Sequence, residues 1–112
     1  MTEDKIQQEI VNWYTNNYCL KHHEPRNLIF SIPNGGSRHI PEAMKLKATG
    51  LLAGASDLVL IHNGNLYFIE LKDEKGKQQA AQKEFEERVK CHGFEYFIFR
   101  NLVEFQKFVV SL

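Results

Sequence analysis

Apolar residues recur near the N-terminus at the spacing of an amphipathic helix. The stripe between residues 3 and 17 consists of Ile6, Ile10, Trp13 and Tyr14. Thr2 precedes it as a suitable N-cap, and two acidic residues occupy the first turn, where they complement the helix dipole. The pattern predicts an opening helix.

Shorter patterns divide the next part of the chain. Leu28 to Ile32 is an apolar run that ends at Pro33, which predicts a strand followed by an open loop. Pro41 suits the first turn of a short helix that Gly50 could terminate. The small or apolar residues of this helix are Ala43, Met44 and Ala48.

A hairpin signal lies in the middle of the sequence. Two apolar runs, 58–61 and 66–69, flank His62-Asn63-Gly64-Asn65, and Asn-Gly is the strongest short signal for a hairpin turn. With Asn63 and Gly64 as the loop, Asp57 lies opposite Glu70, although a slip of one residue is an alternative. Both strands are apolar on both faces, so we expect helices on each side of the sheet.

The C-terminal third predicts a helix, a strand and a second helix. Residues 78–92 form a helical pattern that ends at Gly93, residues 94–99 form a buried strand, and Asn101 with Glu104 resembles a capping box. The inner faces are Ala81, Phe85 and Val89 in one helix, and Leu102, Phe105, Phe108, Val109 and Leu112 in the other. The predicted class is α/β or α+β, with a mixed sheet between helices.

Composition narrows the class of protein. The 112 residues are 43% hydrophobic and 25% charged, as in an ordinary globular protein, and we expect a single domain over residues 1–112. The sequence shows neither the apolar region of a signal peptide nor a run of about 20 apolar residues, so we expect a soluble cytoplasmic protein without a membrane partner. The net charge is zero, so any contact with nucleic acid must come from local basic clusters.

The cysteines and histidines give no recognisable metal or catalytic pattern. We expect Cys19 and Cys91 to be reduced and structural. A zinc site from the cysteines and neighbouring histidines is an alternative, but its spacing matches no known ligand pattern. The histidines, His62 among them, are interpreted as surface or loop residues.

Asp57 and Glu70 carry the clearest chemical signal. In the predicted register their Cα atoms lie roughly 4.5 to 5.5 Å apart with both side chains on one face. Two carboxylates so placed repel each other unless a proton or a cation lies between them. Oxygen ligands of this kind suit Mg²⁺, and Mn²⁺ could substitute.

Lys72 is two residues beyond Glu70, so a strand places both on the same face. A lysine there could orient a water or stabilise the charge that develops on phosphorus during hydrolysis of a phosphodiester. The alternative is a salt bridge at the end of a strand.

These residues resemble the signature of the PD-(D/E)XK nuclease superfamily, and in particular its VRR-NUC branch. The resemblance runs from about Glu3 to Phe99. It includes the Gly-x-x-Asp turn, the Glu-x-Lys strand, a helix glutamine and a following glycine, which here are Gly54, Asp57, Glu70, Lys72, Gln82 and Gly93. Ser56 departs from the family, which usually has proline at this point of the turn. The resemblance implies a restriction-endonuclease-like core.

The resemblance also implies further site residues. Gln82 would be catalytic, and it shares the inner helical face with Phe85, where the alternative is a hydrogen bond to the backbone. Glu3 would complete the metal site of Asp57 and Glu70, with Glu9 as the other candidate. The segment Asn34, Gly35, Gly36, Ser37 and Arg38 would bind substrate phosphate, the alternative being a plain loop.

Together these features favour a Mg²⁺-dependent endonuclease that acts on DNA. The resemblance implies branched DNA such as a four-way junction, cut by a homodimer. Large apolar residues of the first and last helices, more than a small core absorbs, would form the dimer interface. The alternatives are a monomer whose core takes up both helices, and a catalytically silent nucleic-acid-binding module with the same fold. A restriction-type enzyme is less favoured, because 112 residues leave little room for base reading.

Overall fold

The computed structural model describes residues 1–33 and 40–112, and within these ranges the chain forms four helices and four strands. The helices are α1 (Glu3–Tyr18), α2 (Ile40–Ala48), α3 (Ala80–Cys91) and α4 (Leu102–Val110). The strands are β1 (Leu28–Ser31), β2 (Leu58–His62), β3 (Asn65–Leu71) and β4 (Glu95–Phe99). The predicted order of helices and strands is confirmed.

The four strands form one mixed sheet in the order β1-β2-β3-β4. β1 and β3 each run antiparallel to β2, whereas β4 runs parallel to β3. A parallel neighbour requires a crossover, and α3 provides it. The fold is therefore α+β.

The predicted register of the β2–β3 hairpin is confirmed. His62 pairs with Asn65, and at the other end Leu58 pairs with Ile69. Asn63 and Gly64 both have positive φ, 49° and 84°, as the tight turn between two such strands requires. Asp57 directly precedes Leu58 and Glu70 directly follows Ile69, so both lie next to this pair at the open end of the hairpin.

Helices cover both faces of the sheet, as expected. The α1 and α4 face holds the main core, which includes Ile6, Ile10, Tyr14, Leu58, Leu60, Ile69, Leu71, Phe99, Phe105 and Val109. On the other face Phe85 of α3 packs against Phe68 of β3, with ring centroids 5.6 Å apart.

The core absorbs most of the large apolar residues of α1 and α4. Tyr14 and Phe105 are fully buried, and Trp13, Tyr18, Leu102 and Phe108 pack partly buried against the same cluster. Leu112 remains exposed. The expected apolar surplus is thus smaller than the sequence suggested, because the aromatic rings of both helices pack on one another and on β4.

His62 is buried, which corrects its interpretation as a surface or loop residue. Its Nδ1 forms a hydrogen bond of 2.8 Å with the hydroxyl of Tyr14, and its ring lies against Tyr18. Burial lowers the pKa of His62, since the charged form loses its hydration. This polar pair ties α1 to the far end of β2.

α2 is formed as predicted and lies apart from the core. Met44 is exposed, and no other described helix or strand packs closely against α2. The helix ends in a Schellman motif, in which Gly50 has a φ of 114° and the N–H of Leu51 donates to the carbonyl of Leu46. Gly50 therefore terminates α2 as expected.

Two further points concern the class of protein. None of the described helices is long and apolar enough to cross a membrane. Cys19 and Cys91 are both free thiols.

Gly54 lets the loop before β2 contact the first turn of α3. Its φ is 83°, and a Cβ built on it would lie 2.3 Å from the carbonyl oxygen of Ala81. No side chain fits in this gap, because the neighbouring atoms belong to the backbone of α3. Gly54 thus sets the distance between Asp57, three residues later, and α3.

Gly54→Ala is expected to lower the free energy of unfolding more than Gly64→Ala. Both substitutions place a side chain at a positive φ, which costs about 1 to 2 kcal/mol. Only Gly54 adds a collision, since a Cβ at Gly64 meets nothing within 4 Å, and overpacking costs typically about 1 to 3 kcal/mol more. Urea unfolding of the two variants measures the difference, and equal losses would contradict the close contact.

Candidate active site

Three charged side chains meet on one face of the sheet where the β2–β3 hairpin opens. Asp57 immediately precedes β2, Glu70 lies in β3, and Lys72 directly follows β3. Glu70 and Lys72 are only 1% and 6% exposed, and the Lys72 Nζ lies 3.8 Å from the Glu70 Oε2. Charges are seldom buried to this extent unless they are paired or bind a ligand.

Asp57 is held by the backbone of the opposite strand. Its Oδ2 accepts a hydrogen bond of 2.7 Å from the N–H of Leu71. Burial raises the pKa of Asp57, and the charge of Glu70 raises it further, while the Leu71 N–H and Lys72 act in the opposite direction. The charged form of Asp57 is therefore disfavoured until a positive charge approaches.

The two oxygens of Glu70 have different surroundings. Oε1 accepts hydrogen bonds from the hydroxyl of Tyr96 and from Nε2 of Gln78. Oε2 is buried and has no hydrogen-bond partner among the residues that the structure describes. An orphaned carboxylate oxygen in the interior is costly unless a ligand approaches it.

Tyr96 and Gln78 are site residues that sequence reasoning missed. Burial, the hydrogen bond to Glu70 and the charge of Glu70 all raise the pKa of Tyr96, so its hydroxyl remains protonated and donates. The sheet topology explains the contact of Tyr96 with Glu70, because β4 is parallel to β3 and Tyr96 pairs with Phe68, two residues before Glu70. The alternating pattern of β4 could have predicted the face on which the Tyr96 side chain lies. It could not have predicted that β4 lies beside β3.

Among the described residues, Gln82 forms no hydrogen bond with Asp57 or Glu70. Its Oε1 accepts a hydrogen bond of 2.7 Å from the N–H of Gln79, the residue before α3. This is the hydrogen bond to the backbone that the sequence analysis gave as the alternative for Gln82. The helix begins at Ala80, two residues later than the sequence predicted, and so leaves Gln78 outside it and free to reach Glu70. The spacing Gln79-x-x-Gln82 is that of a capping box and was the signal for this arrangement.

Glu3 lies close enough to the site for its charge to interact with it. Its pKa is raised, first by partial burial and then by the charges of Asp57, Asp73 and Glu70, while Lys72 lowers it. Within residues 1–33 and 40–112, however, no three His, Cys, Asp or Glu side chains come together as a metal-binding group. The role of Glu3 as a third metal ligand stays a prediction, and the described residues give the zinc alternative no ligand cluster.

Asp4 is a second acidic neighbour from α1. Its charge contributes to the raised pKa of Asp57. The sequence had offered Glu3 and Glu9 as the first-helix candidates, and Asp4 was not among them. The start of α1, rather than its second turn, thus adds negative charge at the site.

The connection between β3 and α3 is braced by Arg100. Its Nη1 donates to the carbonyl oxygens of Asp73 and Gly76, at 2.7 and 2.8 Å. The Asp73 side chain accepts from the N–H of Gly76 at 2.6 Å. This short loop leads directly to Gln78, so the brace helps to place the amide beside Glu70.

The predicted substrate-binding segment, Asn34 to Arg38, lies outside the described residues. It connects β1 with α2 in the chain. Lys45 and Lys47 of the last turn of α2 are described and exposed.

The donor set fits a hard divalent cation. Asp57 and Glu70 offer carboxylate oxygens, one of which is the orphaned Oε2 of Glu70. Mg²⁺ is commonly held by one or two carboxylates and keeps several waters, so a third protein ligand is not required. The described residues therefore suit Mg²⁺ better than zinc.

Comparison with known proteins gives one family. The family model of the VRR-NUC domain matches residues 1–101. A solved structure titled "VRR_NUC domain protein" has a TM-score of 0.75 and 23% identity, over 99% of this chain and 87% of that one. A second, titled "VRR_NUC domain", has a TM-score of 0.63 and 20% identity, over 96% and 92%. No curated protein matches the sequence.

Asp57→Asn is expected to remove Mg²⁺ binding and, without metal, to melt at an equal or higher temperature than the wild type. The variant loses one of two repelling carboxylates but keeps an oxygen for the Leu71 N–H. Calorimetry with Mg²⁺ and melting in EDTA at neutral pH measure both effects. Unchanged Mg²⁺ affinity would remove Asp57 from the metal site.

The pH dependence of this difference has a defined sign. The pKa of Asp57 is higher in the folded protein than the ordinary 3.8, so between the two values the folded state binds more protons than the unfolded state. The wild type therefore loses stability relative to the variant as the pH rises through this window. The advantage of Asp57→Asn is expected to shrink as the pH falls towards 3.8.

Proposed function

The chain belongs to the VRR-NUC domain family, and from this premise we propose that it is a Mg²⁺-dependent endonuclease that hydrolyses phosphodiester bonds in DNA. Membership of this family supports a nuclease-type domain. The metal and the mode of cleavage rest on the site itself.

The observation that carries the proposal is the orphaned Oε2 of Glu70. This oxygen is buried beside Lys72, with Asp57 on the same face of the hairpin, and no described residue donates a hydrogen bond to it. A protein interior seldom retains such a group unless it has a function. Binding of a cation would satisfy Oε2 and relieve the repulsion between the two carboxylates.

Each residue of the site has a role in this proposal. Asp57 and Glu70 hold Mg²⁺ or Mn²⁺, and the cation would supply Lewis-acid stabilisation to the phosphate. The ammonium group of Lys72 stabilises the negative charge that builds on the phosphate oxygens or orients the attacking water. Gln82 acts from a distance, because it fixes the start of α3 through the backbone of Gln79. Glu3 adds negative charge at the edge of the site.

The proposed DNA contact lies along the segment from Asn34 to Arg38 and the following helix. The protein has 14 basic and 14 acidic residues, so no overall field attracts DNA and the binding must be local. Lys45 and Lys47 are exposed at the end of α2, which packs closely against no other described helix or strand. Exposed lysines can contact phosphate oxygens, and such contacts position a protein on DNA.

We further propose a homodimer that acts on branched DNA such as a four-way junction, as the family resemblance implies. A single protomer offers one catalytic face, so two are needed to cut two strands. α4 exposes Val103 and Val110, seven residues apart on one side of the helix, and Leu112 is also exposed. A stripe of this kind could pair with its own copy across a two-fold axis.

Lys72→Ala is expected to fold and bind Mg²⁺ but to cleave DNA at least about 100-fold more slowly, a typical loss for a group that acts in the transition state. Lys107→Ala, an exposed lysine on the opposite face, is the matched control. Cleavage is measured on labelled DNA with Mg²⁺, Mn²⁺ or EDTA. Normal cleavage by Lys72→Ala would exclude Lys72 from the mechanism, and binding without cleavage by the wild type would identify a silent module.

The dimer is tested by light scattering at micromolar concentration. We expect the wild type to have twice the mass of one protomer, and a variant with Val103→Glu and Val110→Glu to be monomeric, because four charges would face one another across the interface. The wild type should also cut a four-way junction faster than linear duplex. A monomeric wild type that cuts both DNAs equally would contradict both parts of this proposal.

A further inference from the structure

Glu70 is asymmetric in a way that the fold enforces. Its side chain is 1% exposed, and both of its hydrogen bonds end on the same oxygen, Oε1. The other oxygen, Oε2, accepts no hydrogen bond from the residues that the structure describes, and the ammonium group of Lys72 lies 3.8 Å from it. The two oxygens of a carboxylate are chemically equivalent, so donors that reach only one of them select one orientation of the group.

The first donor to Oε1 comes from the neighbouring strand. Tyr96 pairs in register with Phe68, which places its side chain on the same face as Glu70 and one diagonal step away. The ring is 6% exposed and packs against Phe85 of α3. The hydroxyl thus approaches Glu70 from a rigid position between β4 and α3.

The second donor comes from the start of α3. Nε2 of Gln78 lies 3.3 Å from the Glu70 Oε1 and 2.9 Å from the Glu86 Oε1. Glu86 is in turn paired with Lys90 at 2.6 Å, one turn further along the helix. The amide of Gln78 is therefore anchored on α3 at one side and donates to the buried carboxylate at the other.

We propose that Tyr96 and Gln78 are positioning residues, which hold the Oε1 of Glu70 so that the unpaired Oε2 faces the cation. This inference rests on the proposed function. Neither residue touches the cation or the substrate. They raise the affinity for Mg²⁺ because the carboxylate is already oriented before the metal binds.

The physical reason is the cost of orienting a ligand. Groups that hydrogen-bond to a metal ligand fix its orientation, and their loss typically lowers metal affinity or activity about 10- to 100-fold. In this site the effect is concentrated on Glu70, since Asp57 is fixed separately by the backbone of Leu71. Loss of either donor would leave the Glu70 carboxylate able to adopt other orientations, in which Oε2 no longer faces the cation.

The test uses two variants that keep the shape of the side chain and remove only the donor. These are Tyr96→Phe and Gln78→Met. The matched controls are Tyr67→Phe, a buried tyrosine on the opposite face of β3, and Gln106→Met, a half-buried glutamine of α4. Calorimetry measures the Mg²⁺ affinity of each protein without DNA, and cleavage is then measured over a range of Mg²⁺ concentrations.

We expect Tyr96→Phe and Gln78→Met each to bind Mg²⁺ about 10- to 100-fold more weakly, while both controls bind like the wild type. At high Mg²⁺ the two variants should regain most of the wild-type rate, because the reacting groups are intact. Lys72→Ala should not regain it at any Mg²⁺ concentration. This split separates a positioning role from a catalytic one.

Wild-type Mg²⁺ affinity and an unchanged Mg²⁺ requirement in the folded variants would overturn the inference and leave the proposed function standing. Circular dichroism checks folding, and if Tyr96→Phe does not fold, Gln78→Met at the edge of the site decides. A wild-type protein that neither binds Mg²⁺ nor cleaves DNA would overturn the proposed function and this inference together. That result is seen before any variant is made.

Discussion

The register of the β2–β3 hairpin is the constraint on which the candidate site depends. Leu58 pairs with Ile69, so Asp57 and Glu70 continue the two strands side by side, and their side chains share a face with Lys72. A slip of one residue would turn Glu70 and Lys72 into the apolar core and Leu71 towards the site. The Asn63–Gly64 turn, with φ values of 49° and 84°, and the apolar pairs on the α1 face together prevent this slip.

The sequence was sufficient to predict the hairpin, the order of elements and the meeting of Asp57 with Glu70, because strand period and turn chemistry are local properties. It was not sufficient to choose between Gln78 and Gln82. Their roles depend on where α3 begins, and a capping interaction moved that start by two residues. Tyr96 was missed for a different reason, since its contact with Glu70 requires knowing which strand lies beside β3.

The site and the stability of the fold make opposite demands on the same residues. A buried carboxylate with an unpaired oxygen destabilises the folded chain, and the raised pKa of Asp57 reports the same conflict. The large aromatic core on the α1 and α4 face offsets this cost on the other side of the sheet. Tyr14 and Phe105 are fully buried in this core and so contribute to the stability that the site requires.

The isolation of α2 has a consequence for how this domain can diversify. Because no other described helix or strand packs closely against α2, substitutions on its surface leave the core and the carboxylates undisturbed. The helix carries its own termination signal in the Schellman motif at Gly50, so it needs little from the rest of the chain to hold its shape. In the proposed nuclease, this helix can therefore be exchanged without altering the carboxylates of the candidate site or the core behind them.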